Sequence, residues 1–594
     1  MFLITTADQR FWKKDEKILF LGEWCRVYDQ KHIWSKFDYK VLPYHWADTG
    51  RFYRDFQYTD ALHERYLGLL SKNLNNLHNE NYSLRYWRLA LNPWLYVFIE
   101  VLYDRYLSIR AAIDSGKVTN TWVPSLVLRK YVPKEFSQFQ GWQFGEAYNQ
   151  FLYGYIIRMM GGISYEQKNE SIDLSLPLSA QKTQTIVRKS TDFRGMLKKV
   201  SKKILEKYAR LIPKSLNKIV FVSSYLKPRD LFRLQISLGQ LPYPCSPLVK
   251  AHGVEPDFEL RKKITLPAGQ NEFETLLGKL IPLQIPTVNV EEYVDVRQRA
   301  LSEFPRQPKV IFTVNAYVNA GFNFWAADNV ETGAKLVGTQ HGGHYGTNGW
   351  SAYESHEMKI SDRYYTWGWE NSSQPKVVPL ASGQLAGTAR TIGSNIQGDI
   401  LWVGSSRPRY LHWMLCATSG PQMLDYIEDQ VTFFNSLSKE ARRLLLLRLF
   451  HTDFNWQVDR RLAESFPDIR QHRGKQSFYE LLHQSRLSIG TGQSTTNLET
   501  LAADFPTIAF WNFEQWKLRE SARPYFEELC RVGVFHKTPE SAAVKVNEVF
   551  KNPLLWWNST EVLDARKKFC NRFARTSKNW IIEWKEEFQK LAKE

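Results

Sequence analysis

Residues Leu487–Trp511 read LSIGTGQSTTNLETLAADFPTIAFW and spell strand, loop, helix and strand in one run. Leu487–Ile489 is a short apolar strand. Gly490-Thr491-Gly492-Gln493-Ser494-Thr495-Thr496 follows with small residues and hydroxyls, a loop whose backbone N–H groups can approach an anion. A helix over Asn497–Ala503 then points its positive end at that loop. Pro506 breaks the helical pattern and Thr507–Trp511 returns as a second strand. Glu499, one turn into the helix, can accept hydrogen bonds from a ribose or sugar hydroxyl. The run outlines a nucleotide-sugar pocket, with a plain βαβ unit carrying a polar loop as the alternative.

Two further strand ends agree with it. Ile400–Val403 predicts a strand that exits through Gly404-Ser405-Ser406-Arg407-Pro408-Arg409-Tyr410, where Ser405, Arg407 and Arg409 offer a hydroxyl and two forked guanidinium groups to a diphosphate. Leu444–Phe450 predicts a strand carrying Arg448, with His451 and Asp453 beyond it. Three strand ends thus bring Gly, Ser, Thr, Arg or His to the side where open α/β sheets bind ligands. Thr491, Ser494, Thr495 and Thr496 form the phosphate loop of this reading.

The first half supplies the other chemistry. Lys335–Gly338 predicts a strand that delivers Thr339-Gln340-His341-Gly342-Gly343-His344-Tyr345-Gly346. A histidine between a strand end and two glycines can face a cleft and transfer protons near neutral pH. His341 is the candidate base; a turn histidine bonded to backbone is the alternative, and His344 is the weaker candidate. Glu23, after the predicted strand Ile18–Leu21, is a reserve base.

The 594-residue chain is too long for one core and calls for two large domains. Hydrophobic residues at 43% exclude general disorder. The cysteines Cys25, Cys245, Cys416, Cys530 and Cys570 are scattered without CxxC spacing, which argues against disulfides and a zinc site. Absence of any Asp-x-Asp leaves a metal-held diphosphate without an obvious ligand set, so metal independence is expected, with no cofactor beyond the activated sugar as substrate. The amino terminus carries no signal-peptide pattern and the most apolar helix, Leu89–Ile99, is too short to span a bilayer, so a cytoplasmic location is expected.

A formal charge of +18 calls for an anionic partner. The basic stretch Arg188–Lys218 carries a moderate apolar stripe and is read as a solvated helix face, with peripheral contact on an anionic membrane as the minority reading. Helical periodicity over Arg51–Ala112 and Phe144–Met160 marks a helical insertion, Ser164–Thr191 reads as an exposed loop, and the basic, aromatic tail Asp564–Leu591 reads as a helix packing back on the first domain.

FLITTA at Phe2–Ala7, LFLGEWCRVYD at Leu19–Asp29, LPYHW at Leu42–Trp46, SLRYWR at Ser83–Arg88, GTQHGGHYG at Gly338–Gly346, NLETLAADFPTIAFW at Asn497–Trp511 and RFARTSKNW at Arg572–Trp580, in this order, resemble a family of transferases from bacterial surface-carbohydrate gene clusters. The resemblance runs essentially end to end. It implies an α/β fold of two Rossmann-like domains, GT-B-like: an acceptor-side domain over 1–395 with the helical insertion at about 51–160, a nucleotide-sugar domain over 396–550, and a carboxyl-terminal helix over 551–594. The implied activity is sugar transfer from a nucleotide-activated donor to a lipid-linked or protein-linked glycan of the cell surface, such as O-antigen or capsule. A polyol-phosphate transferase on the same scaffold is the alternative. A noncatalytic nucleic-acid-binding protein is a third reading, disfavoured because RNP, finger and basic helix-turn-helix signatures are missing.

Overall fold

The computed structural model describes residues 1–91, 93–170, 174, 218–242, 245, 247–387 and 393–594. Three all-parallel sheets organise them. The amino-terminal sheet holds β1 (Phe2–Ile4), β2 (Ile18–Phe20), β3 (Tyr39–Val41), β4 (Asn120–Pro124) and β5 (Ser164–Lys168) in the order β3-β2-β1-β4-β5. The central sheet holds β6 (Ile219–Val222), β7 (Val310–Thr313), β8 (Lys335–Thr339), β9 (Arg363–Thr366) and β10 (Val377–Pro379) in the order β10-β9-β8-β7-β6. The carboxyl-terminal sheet holds β11 (Asp399–Val403), β12 (Leu445–Arg448), β13 (Arg470–Gln471), β14 (Ser485–Gly490), β15 (Thr507–Phe510) and β16 (Phe535–His536) in the order β13-β12-β11-β14-β15-β16.

The α/β class stands as expected, the amino- and carboxyl-terminal sheets have Rossmann-like strand orders, and the strand–loop–helix–strand run of Leu487–Trp511 is β14, the helix Thr495–Ala502 and β15. The amino-terminal half differs in detail. Its strands do not form one sheet across 1–395: β1 to β5 close a sheet of their own, separate from β6 to β10. The helices expected as an insertion, Thr49–His78, Leu84–Leu91, Trp94–Asp114 and Glu146–Met160, are crossovers of that sheet, because β4 lies among them and pairs with β1. Pro93, which has no N–H to donate, separates two of these helices. The first five residues of the expected loop from Ser164 pair as edge strand β5. The basic stretch from Arg188, apart from Lys218, lies outside the described residues, as does most of that loop.

The central sheet explains why the tail returns. Its strands run in one monotonic order. On one face Val220, Ile311 and Leu336 pack with the helices Tyr293–Glu303 and Ala320–Glu331, while the crossover helix Pro228–Ser237 lies on the opposite face beside the tail helix. That opposite face, with Ile219, Phe221, Phe312, Val337 and Tyr365, packs against Trp580, Trp584 and Phe588 of the helix Trp580–Leu591. Phe588 lies 5.2 Å from Phe221, and Trp584 Nε1 donates to the Ala381 carbonyl at 2.9 Å. Burying each of these rings contributes about 1.5–3 kcal/mol. The tail is two helices, not one: Thr560–Phe573 packs on the carboxyl-terminal sheet side against the helix Arg523–Arg531, and Trp580–Leu591 crosses to the central sheet. Among the described residues no helix is long and apolar enough to cross a membrane.

Candidate functional site

The switch point of the carboxyl-terminal sheet lies between β11 and β14, and a cavity of about 420 Å³ opens there at the carboxyl ends of β11 to β14. Ser405, Arg448, Thr491, Ser494 and Thr496 line it, five of the nine donor residues read from the sequence. His451, His472 and Arg473 line it as well.

Each lining residue is held differently. Thr491 Oγ1 donates to the Val403 carbonyl at 2.8 Å and pairs with the Tyr426 hydroxyl, also at 2.8 Å, while that hydroxyl accepts the Ser405 N–H at 2.8 Å. Thr491 thus pins β14 to β11, and its hydroxyl is engaged in the frame of the crevice. Ser494 is the N-cap position of the helix Thr495–Ala502 and its hydroxyl pairs with that of Thr496 at 2.5 Å, so neither caps the first turn and its backbone donors face the loop. Gly490 is required: a Cβ there would come within 1.9 Å of Asn497 Oδ1, whose side-chain amide donates to the Gly492 carbonyl at 2.7 Å.

Arg448 has no ion-pair partner within salt-bridge distance; Phe478 lies under its guanidinium at 5.4 Å and burial lowers its pKa, with Glu499 opposing. Burial likewise raises the Glu499 carboxyl above its ordinary value, against the hydroxyl of Tyr479, which donates to it at 2.9 Å, and against Arg448. Arg448 at the crevice wall, the exposed Arg473 and a helix amino terminus make this an anion-accepting cavity.

Four donor candidates, Arg407, Arg409, Thr495 and Glu499, do not line the cavity, and neither does Glu23. Arg409 forms a buried ion pair with Glu146 and also donates to the backbone carbonyls of Trp24 and Phe454, so it clamps two sheets together and is not free for phosphate. Glu23 is gripped by Arg26, whose Nε lies 2.9 Å from it, at the end of β2, outside the crevice. Arg407 does not line the cavity. It lies 5.3 Å from the Trp516 ring without a carboxylate partner, and burial lowers its pKa to about 10. Thr495 opens the helix beneath the loop.

His341 follows β8 at the carboxyl end of the central sheet. Its Nε2 lies 3.1 Å from Glu357 Oε1 and 2.7 Å from the Tyr345 hydroxyl. Glu357, 1% exposed on the helix Ala352–Ile360, also accepts from Tyr345 at 3.0 Å and from the Tyr364 hydroxyl at 2.9 Å. A buried carboxylate held by two phenols therefore fixes the imidazole through one nitrogen. Sequence reading missed Glu357; the only local signal was the helix start Ser351-x-x-Glu354, one turn before it. His344 is a poor base: burial first, then Arg407 and His341, push its pKa down to about 3.

The two halves of the site meet at Gly343. A Cβ there would lie 2.4 Å from the Ser494 carbonyl oxygen, so the His-Gly loop rests flush on the loop that opens the helix Thr495–Ala502. Metal ligation has one geometric candidate among the described residues, Asp60, His63 and Glu64, but Lys359 lies 2.7 Å from Asp60 and 3.0 Å from Glu64, and Arg88 pairs with Glu64 as well. Those carboxylates are already neutralised, and the cluster is apart from the crevice residues.

Fold and site together define a Rossmann-like α/β protein with an anion-accepting crevice beside a half-buried His341 held by the buried Glu357. The model of the LIC12162 family transferases matches residues 1–588, and the chain belongs to that family. No curated protein matches it in sequence. Among solved structures, the chain is similar to Anabaena HepE in complex with UDP and glucose, at 12% identity over 63% of this chain and 98% of that one, TM-score 0.34. A UDP-GlcNAc 2-epimerase from Neisseria meningitidis bound to UDP-GlcNAc matches at 11% identity over 63% and 99%, TM-score 0.36. An alpha-glucosyltransferase in complex with UDP and a 13-mer DNA matches at 11% identity over 63% and 98%, TM-score 0.29.

Proposed function

We propose that this transferase moves a sugar from a nucleotide-activated donor to a hydroxyl of a surface-polysaccharide or glycoconjugate acceptor, in a GT-B-like manner and without a metal. The observation that carries the reading is the apposition at Gly343 of a His–Glu pair with an anion-accepting crevice. With Nε2 of His341 turned to Glu357, Nδ1 is the nitrogen left to take the acceptor proton, and the buried carboxylate stabilises the imidazolium that forms. Arg448 and Arg473, with the amides opening the helix Thr495–Ala502, meet the negative charge that grows on the departing nucleoside diphosphate. These groups supply positive charge where other transferases use a metal ion. Glu499 accepts from a ribose or sugar hydroxyl. In this reading the donor half is the region 396–550 and the acceptor half 1–395, with 551–594 tying them.

A thermal-shift panel of UDP, GDP, CDP, CMP and dTDP, with magnesium and with EDTA, tests it. One nucleotide should raise Tm in wild type regardless of EDTA, and Arg448→Ala should lose the gain. No response to any nucleotide would sink the donor assignment.

A further inference from the structure

The carboxyl ends of β6, β7 and β8 lie side by side in the central sheet and bring three polar side chains together outside the nucleotide crevice. Tyr225 follows β6, Asn315 follows β7 and His341 follows β8. The Tyr225 ring stands edge-on to the His341 imidazole, with centroids 6.1 Å apart and planes at 80°. Its hydroxyl accepts from Asn315 Nδ2, and Asn315 Oδ1 in turn accepts from the Ser223 hydroxyl at 2.7 Å.

The backbone that presents Tyr225 is strained. Ser223 and Tyr225 have φ of +53° and +56°, left-handed values that residues other than glycine rarely adopt. Burial does not explain why the chain tolerates them, because Ser223 is exposed and Tyr225 is 47% exposed. Strain kept for an exposed side chain beside a candidate base is of the kind that functional sites store. Asn315 occupies the phenol oxygen as a donor, and among the described residues no acceptor takes the phenol proton, the imidazole included. Burial raises the Tyr225 pKa, Asn315 opposes the rise and the charge of Glu357 adds to it, so the phenol is a hydrogen-bond donor at neutral pH.

We propose that Tyr225 contacts the acceptor directly, its phenol donating a hydrogen bond to one oxygen of the molecule whose reacting hydroxyl faces His341. The inference rests on the glycosyltransferase reading, in which that molecule is a sugar. A hydrogen-bond donor and a proton acceptor on neighbouring rings then engage two oxygens of one substrate, and the pair fixes which hydroxyl meets the base. Asn315 acts through Tyr225 and is a positioning residue: it holds the phenol oxygen and leaves the proton for the ligand.

Saturation-transfer NMR titration of the full chain with the p-nitrophenyl α- and β-glycosides of glucose, galactose and N-acetylglucosamine tests it, beside the nucleotide Tm shift of each variant. At least one glycoside should bind wild type. Tyr225→Phe, which keeps the ring and removes the hydroxyl, should weaken that binding about tenfold and leave the nucleotide shift unchanged. Asn315→Ala should weaken it as well but add little in the Tyr225→Phe background, an interdependence that a merely structural role would not give. Failure of every glycoside to bind wild type, full affinity in Tyr225→Phe, or additive losses in the double variant would overturn the inference. A nucleotide shift together with any of those results leaves the transferase reading standing. Glycoside binding that depends on Tyr225, with no response to any nucleotide, keeps the contact and sinks the donor assignment.

Discussion

The amino-terminal and carboxyl-terminal sheets share the strand order 3-2-1-4-5, yet only one of them offers its switch-point crevice to a ligand. At the amino-terminal switch point, between β1 and β4, the hydroxyls of Thr5 and Thr6 donate to Gln150 at 3.1 and 2.5 Å, and the Ala7 N–H donates to Glu146 at 2.8 Å. Arg409, from the loop after β11, then seals Glu146. At the carboxyl-terminal switch point, Arg448 and the start of the helix Thr495–Ala502 have no such partners, and a cavity remains. Strand order makes a crevice, and the side chains on the crossover helix decide whether the chain fills it. The closed crevice has become the seat on which the open one is mounted.

The sharpest way to break this comparison is at the chemistry. His341→Ala should lower transfer by about a hundred- to ten-thousand-fold with nucleotide affinity unchanged, as read by single-turnover rates beside a binding titration. Glu357→Gln should lower kcat and spare the donor KM, since it acts by holding the imidazole. Full activity in the His341 variant would move the base elsewhere. Next comes the seal: Arg409→Ala leaves Glu146 buried without its partner and should cost about 3–5 kcal/mol in urea unfolding. If stability is kept and nucleotide binding is lost instead, Arg409 is a phosphate ligand and the amino-terminal crevice is not closed in the way described. Arg448→Ala should cost about 1.5–3 kcal/mol of nucleotide affinity with Tm in the absence of nucleotide nearly unchanged. Calorimetry should find one nucleotide per chain, and a second site would mean that both crevices bind.

The contrast also shows what a sequence can reveal. The open crevice was legible because its loop is local: a buried strand, glycines and hydroxyls, and a helix follow one another from Ser485 to Ala502. The closed one was not. β1 is an apolar run of only three residues, β4 is a five-residue strand between helices, and β5 exposes Ser164 to Gln167, so none shows a pattern long enough to mark a strand. Arg407 and Arg409 look equivalent in the sequence, and only the meeting of Arg409 with Glu146, 263 residues away, separates them. Glu357 was hidden for the same reason. It is a helix residue like its neighbours until the fold brings His341, Tyr345 and Tyr364 to it.

The smallest expected effect compares Glu146 at the closed crevice with Glu499, on the helix that opens at the other one. Glu146 has an arginine, a phenol and a backbone N–H around it, whereas Glu499 has one phenol and the more distant charge of Arg448. Burial raises the Glu499 pKa in the folded chain, so the folded state holds its proton more tightly than the unfolded one. Its contribution to stability is therefore fully present below the ordinary glutamate range and is lost as pH rises through the raised folded value. Glu499→Gln should remove that loss and raise Tm near pH 7 by about 1 °C, with no gain below pH ~4. On the proposed reading, in which Glu499 receives a ligand hydroxyl, nucleotide should bind the variant more weakly although the free protein is more stable. A variant that is both no more stable and fully competent to bind would make Glu499 a wall residue and leave Arg448 as the side chain that distinguishes the open crevice from the closed one.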